Sequence, residues 1–277
     1  MTQAELYVVA TPLGNRGDIT LRAIECLKKV PWIFAEDTRE AFKLLELCGV
    51  SAEGKKLHSY ASHNLKKATA LAVEILQEGK SIALVTDRGT PGISDPGALL
   101  VAAAREAGVK AVPIPGPSAV TALVSVSGSC EHGFWYVGFL PKENKPRQQL
   151  FEQIRQLGQP VCFYESPRRI RQTFADLQSA FPQGAVFYGR EMTKVYETFE
   201  WVPLANNPSE TAMEQGEYVL LLQPGPQPQA QKAWEAEVAL RLASDRDWSK
   251  DVATRYGVAA KDVYNALQHA KGSRSSE

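Results

Sequence analysis

Three short segments rich in glycine and proline, TPLGN at 11–15, DRGTPGISDPG at 87–97 and PGPSA at 115–119, each follow directly on an apolar run. The runs, Leu6–Ala10, Ser81–Thr86 and Val109–Ile114, have the length and β-branched content of buried strands. Helical spacing resumes after each loop, at Ile19–Leu27, Ala98–Ala107 and Ser118–Val126, and recurs between Asn64 and Gln77, with Gly79 and Gly108 placed to end two of these helices. Strands separated by helices predict a mostly parallel sheet. In an open sheet of that kind the loops gather at the carboxyl edge, where ligands bind in the crevice between strand ends. Glycine lets a ligand approach the backbone, and proline fixes the loop so that little order is gained on binding. A preorganised small-molecule cleft is expected. None of the loops is G-x-G-x-x-G or G-x-x-x-x-G-K-[ST], so the dinucleotide and nucleoside-triphosphate fingerprints are both excluded.

The rhythm continues with a short apolar run, Trp32–Ala35, leading into EDTRE, and a strand at Phe134–Phe139. After GFLP, helices are predicted at Gln148–Leu157 and Arg168–Ala180. Strands are predicted at Val161–Tyr164, Val186–Tyr188, Val195–Val202 and Tyr218–Gln223. The last two have no long helix between them, so this half reads as a mixed sheet. The expected partition is an α/β domain over 1–140, a second α/β domain over 141–223, a proline-rich linker over 224–231 (PGPQPQAQ) and a small helical segment over 232–277. In that segment Ala253, Gly257 and Val263 stand where a helix-turn-helix wants a small residue, a turn glycine and an apolar anchor.

With 277 residues and 44% hydrophobic content the chain can bury one large core or two moderate ones. No apolar run approaches the roughly 20 residues of a membrane span, and no basic segment precedes the first apolar one. The expectation is a soluble, unprocessed cytoplasmic protein. Cys26, Cys48, Cys130 and Cys162 are far apart, with no C-x-x-C pair and no histidine at ligand spacing, which argues against a zinc site and a disulfide framework. Lysine plus arginine equals aspartate plus glutamate at 31 each, so any site for a polyanion is local.

Taken in order and spacing, YVVATPLGNRGDIT, AEDTR, VTDRGTPGISDPG, PIPGPSAV, GFLP, FYESPRRI and GREMTK resemble the bacterial small-subunit (16S) ribosomal RNA cytidine 2′-O-methyltransferases. These belong to the tetrapyrrole-methylase-like class of S-adenosylmethionine enzymes. The resemblance covers about residues 5 to 223. It implies two α/β domains with the methyl donor in the cleft between them, and a homodimer. It further implies a donor site lined by Pro12, Gly14, Gly89, Thr90, Pro91, Ser94, Asp95, Gly97, Pro117, Ser118, Ala119, Phe139 and Leu140. Two positions depart from the family pattern, Arg88 where a small residue is usual and Arg168 where a histidine is common. Each puts a guanidinium near the expected cleft.

Methyl transfer from a sulfonium asks the protein to align the accepting hydroxyl and to take up its proton. Glu36, Asp37, Asp87 and Glu165 are the candidate acceptors, and sequence does not choose among them. Arg39, Arg168, Arg169, Arg190 and Lys194 are the candidate phosphate partners, because each lies in a resemblance motif and arginine grips phosphate bidentately. Two other functions remain open: carbon methylation of a tetrapyrrole on the same fold, which would favour a larger apolar floor and fewer cations, and a non-catalytic RNA-binding module for ribosome assembly built on the C-terminal helices.

Overall fold

The computed structural model of the chain describes residues 4–226, 245–256 and 259–273. The chain divides into two compact units, Met1–Gly225 and Pro226–Glu277.

The first unit begins with β1 (Glu5–Val9), α1 (Leu21–Lys29), β2 (Trp32–Ala35), α2 (Thr38–Leu47), β3 (Lys56–Ser59), α3 (Leu65–Gln77), β4 (Ile82–Val85), α4 (Ala98–Glu106) and β5 (Lys110–Ile114). The strands form one parallel sheet in the order β3-β2-β4-β1-β5. A parallel strand covered on both faces reads as an unbroken apolar run, and IALV of β4 is buried at every position. On one face Ala23, Cys26 and Leu27 of α1 and Ala41 and Leu45 of α2 pack against Val9, Ile33 and Val85. On the other, Ala72, Ile75 and Leu76 of α3 and Leu100 and Ala104 of α4 pack against Leu6, Phe34, Ile82 and Leu84. The loops after β1 and β2 therefore leave toward one face and the loop after β4 toward the other. Such a divergence opens a crevice at the carboxyl ends, on either side of β4.

The same unit continues with α5 (Ala119–Ser127), β6 (Trp135–Phe139), α6 (Asn144–Leu157), β7 (Val161–Glu165), α7 (Ile170–Ala180), β8 (Ala185–Arg190), β9 (Thr198–Pro203) and β10 (Tyr218–Gln223). These strands form a second sheet in the order β6-β7-β10-β8-β9, in which β6 lies parallel to β7 and the other pairs are antiparallel. Phe151 and Ile154 of α6 and Ile170, Phe174 and Leu177 of α7 fill one face. Val120 and Leu123 of α5 cover the other, against Cys162, Phe187 and Leu221. Leu123 is fully buried there, a contribution of about 1.5–3 kcal/mol. The chain thus passes from the first sheet to the second within 115–118, ahead of the boundary expected near Pro141. The cause is α5, whose apolar side is buried on the second sheet.

In the second unit α8 (Asp245–Tyr256) and α9 (Ala260–Ser273) form a helical pair, and Gln268 Nε2 donates to Asp245 Oδ2 at 2.9 Å. Residues 227–231 of the expected linker, 232–244 of the expected helical segment and Gly257 of its expected turn lie outside the described residues. No described helix is long and apolar enough to cross a membrane.

Candidate functional site

The three glycine and proline loops are tied together at the carboxyl edge of the first sheet. Thr11, buried just past β1, donates its N–H to the Gly89 carbonyl at 2.8 Å, and Gly89 N–H returns to the Thr11 carbonyl at 3.1 Å. Thr11 Oγ1 also donates to the Thr86 carbonyl at 3.1 Å. Thr90 Oγ1 donates to the Pro117 carbonyl at 2.9 Å, which joins the third loop to the second. Gly89 sits at φ +80°, a conformation open to glycine at little cost. A Cβ at Gly97 would stand 2.7 Å from Gly92 N and 3.0 Å from Gly92 Cα, so only hydrogen fits between the two ends of that loop.

The second half of the unit meets this rim. Ser94 adopts φ +65° and its hydroxyl lies 2.5 Å from the Tyr136 hydroxyl on β6. Asp95 Oδ1 accepts the Gly92 N–H at 2.5 Å and so holds the loop's turn. Phe139 is 54% exposed and rests on Tyr164, with ring centroids 5.5 Å apart. Leu140 points into the second core at 2% exposure, so its side chain belongs to packing. Pro12 is half-buried, Ala119 packs toward the second sheet, and the Ser118 carbonyl accepts the Ala122 N–H at the start of α5. Gly14 lies against the stem of Lys194, and Asn15 N–H donates to Thr193 Oγ1 at 3.0 Å.

The four candidate proton acceptors separate by environment. Asp37 caps α2, accepting the Arg39 N–H at 2.8 Å, and the Arg39 guanidinium at 2.6 Å holds its carboxyl down to about 2. Glu165 is sealed inside the second half: its carboxylate accepts from Ser166 N–H at 2.7 Å, Thr173 Oγ1 at 2.7 Å and Arg169 Nη2 at 3.2 Å. Both of its oxygens are engaged by these donors. Glu36 and Asp87 follow neighbouring strands, β2 and β4, and stand together at the crevice. Burial and the charge of Asp87 raise the Glu36 carboxyl, which among the described residues accepts one hydrogen bond, from Thr86 Oγ1 at 3.3 Å. Desolvation also raises Asp87, which accepts the Asp37 N–H at 3.1 Å. Asp95 is raised by burial as well.

The candidate cations separate too. Arg169 donates to the Leu140 carbonyl at 2.9 Å and to Glu165, so its guanidinium fastens the β6–α6 connection to β7. Lys194 bridges Glu191 at 2.8 Å and Glu217 at 2.9 Å, and Arg88 pairs with the same Glu217, which links the loop after β4 to the second half. Arg190 Nε donates to the Gln215 carbonyl at 3.0 Å. Arg168 is exposed without an ion pair among the described residues, and Arg39 has only its exposed pair with Asp37. Sequence reasoning placed Thr90 at the donor site but passed over Thr11, Thr86 and Tyr136, whose polar atoms also join the loops. Their signal was position: a threonine immediately past a buried strand is placed to bridge neighbouring strand ends.

The first unit is an α/β fold built on two sheets. It is similar to the solved structures of the methyltransferase CobJ (20% identity, TM-score 0.61, 79% of this chain and 93% of that one) and of diphthine synthase (15% identity, TM-score 0.62, 79% and 90%). Residues 5–206 match the family described as Tetrapyrrole (Corrin/Porphyrin) Methylases, and the chain belongs to that family of S-adenosylmethionine-dependent methyltransferases. Among curated relatives, the Ribosomal RNA small subunit methyltransferase I of Leptospira biflexa is 42% identical over 78% of this chain and 90% of its own length. The proteins of the same name from Haemophilus influenzae and Halalkalibacterium halodurans are 40% and 37% identical, each over 94% of this chain and over 94% and 93% of their own.

The residues at the crevice fit such a donor. S-adenosylmethionine carries a positive sulfonium and an ammonium, and Glu36, Asp87 and Asp95 converge there with no salt-bridge partner among the described residues. Glycine at 89 and 97 lets the loops close tightly against Thr11 and Gly92 and so shapes the rim, and the exposed face of Phe139 offers an adenosine a flat apolar surface.

Proposed function

We propose that the chain methylates the 2′-hydroxyl of a cytidine in small-subunit (16S) ribosomal RNA, working in the cytoplasm on the RNA or the assembled subunit. Support comes from the interlocked rim of three loops beside an acidic crevice, together with the rRNA methyltransferase name shared by relatives that cover nearly the whole chain. Two α/β domains close around the donor, and the active species is a homodimer. Bound S-adenosylmethionine supplies a methyl group already activated on its sulfonium. Pro12, Gly14, Gly89, Thr90, Pro91, Ser94, Gly97, Pro117, Ser118 and Ala119 hold it through backbone groups, with Asp95 and Phe139 at its edges. Glu36 takes the proton from the ribose hydroxyl, because it has the freer carboxylate of the raised pair, and Asp87 beside it raises its affinity for that proton. Arg39, Arg168 and the free end of Arg190 hold phosphates, whereas Arg169 and Lys194 hold the fold around them.

The test is incubation with labelled S-adenosylmethionine and small subunits from a strain lacking the gene. Label on a cytidine ribose of the small-subunit RNA is the expected product; label confined to protein or to a small molecule overturns the proposal. Sedimentation of the purified protein should give the mass of two chains. Gly97→Ala should weaken donor binding by about tenfold or more, equivalent to roughly 1.4 kcal/mol or above, since the added methyl must push Gly92 and Pro91 out of the rim. Calorimetric titration measures it, and unchanged affinity would remove this loop from the donor site.

A further inference from the structure

Beside the crevice, α2 carries a hollow of about 400 Å3 lined by Thr38, Arg39, Phe42, Lys43 and Leu57. Its centre is Phe42, 49% exposed, with Arg39 one turn before it and Lys43 next to it. Leu57 of β3 supplies the other apolar wall. The hollow starts at the residue after Asp37, whose N–H is fixed to Asp87 at the crevice, and Phe42 lies roughly 8 Å further along the helix. We infer that this hollow is a subsite for a single-stranded nucleotide next to the target ribose, in which the base stacks on the Phe42 ring and Arg39 and Lys43 grip the flanking phosphates. This rests on the chain acting on RNA, as proposed above.

Charge and shape together favour that occupant. Glu36, Asp87 and Asp95 make the crevice itself hostile to phosphate, so a strand that delivers its ribose there must run its backbone over cations outside it. Arg39 and Lys43 are the cations that line the hollow. Both are exposed, at 84% and 62% of their side chains, and their pairs with Asp37 and Glu40 lie in open solvent, where ion pairs are weak and exchange readily for phosphate. Asp37 is moreover committed to the α2 N-terminus, where the helix dipole offsets part of its charge. A half-exposed ring flanked by two cations is the arrangement that binds unpaired bases without reading their sequence.

Phe42→Leu keeps an apolar side chain and loses the ring; Phe42→Tyr keeps the ring. The probe is RNA extracted from small subunits of a strain lacking the gene, followed by filter binding and by label transfer. Phe42→Leu should lower RNA affinity by roughly five- to 100-fold, in KM more than in kcat, with donor affinity and sedimentation unchanged, and Phe42→Tyr should restore it. Lys43→Gln should make the slope of log affinity against log salt shallower by about 0.7. Unchanged RNA affinity in Phe42→Leu overturns the subsite, and so does a loss accompanied by altered sedimentation, which would make the hollow a contact between copies. Failure of the substrate proposal is a separate result: the parent protein then puts no label on ribose either in this RNA or in the assembled subunits.

Discussion

Glu36→Gln should lower kcat by about 10²–10⁴-fold while S-adenosylmethionine affinity changes little. The amide preserves the size of the side chain and the hydrogen bond from Thr86, and it removes the basic electron pair. In the parent, kcat/KM should rise with pH as the Glu36 carboxylate forms, and the midpoint should lie above the ordinary glutamate value because burial and Asp87 raise it. The same shift works against folding. A carboxyl raised in the folded state stabilises the protein most below its unfolded pKa, and that stabilisation is lost as pH rises through the folded pKa. At neutral pH Glu36→Gln should therefore unfold at a slightly higher temperature than the parent, losing activity as it gains stability. Full activity in this variant would move the proton acceptor elsewhere, with Asp87 the next to test.

Glu165→Ala should have the largest effect on stability. Removing one member of a buried ion pair leaves the Arg169 charge, the Thr173 hydroxyl and the Ser166 N–H without their acceptor, at a cost of about 3–5 kcal/mol. For a unit of this size that corresponds to a fall in Tm of roughly 10 °C. Glu165→Gln keeps an acceptor for the Ser166 N–H and turns its NH2 toward the Thr173 hydroxyl, which can accept instead of donate, and should cost less. The variant that separates roles is the amide: it should retain the parent's kcat, since Glu165 has no open face toward the crevice. Arg169→Ala belongs with this pair. It should lower Tm and leave the salt dependence of RNA binding unaltered, because its guanidinium is spent on Glu165 and the Leu140 carbonyl.

The parts of the fold that could be read from sequence are those where burial writes a plain pattern. β4 and β10 are apolar runs, and the loops around them are marked by glycine and proline. β3 escaped because KLHS is an edge strand, exposed or half-buried along its whole length, and carries neither an apolar run nor alternation. α2 escaped because EDTREAFKLLELCG opens with charged residues, and its buried residues are limited to Ala41 and Leu45. The position of α5 could not be read at all, since an apolar helix after the first sheet packs equally well on either sheet in a one-dimensional pattern. At the site, the sequence marked which loops meet and left the charged side chains unsorted. Whether an arginine in FYESPRRI faces phosphate or its own backbone depends on Leu140, Glu165 and Thr173, which lie up to 29 residues from it in the chain.

The middle strand of the second sheet, β10, is also the last strand of the unit to be made. On a translating ribosome the first sheet has all its strands once Ile114 has emerged, roughly a hundred residues before Tyr218. At about 5–20 residues per second, that is an interval of roughly 5–20 s. In its last part, once Arg190 has emerged, β7 and β8 face each other across a missing neighbour, each with an open hydrogen-bonding edge and apolar side chains that β10 will cover. A chain interrupted between Pro203 and Tyr218 would hold four of the five strands and still be unable to close the sheet, making it a substrate for chaperones or a seed for aggregation.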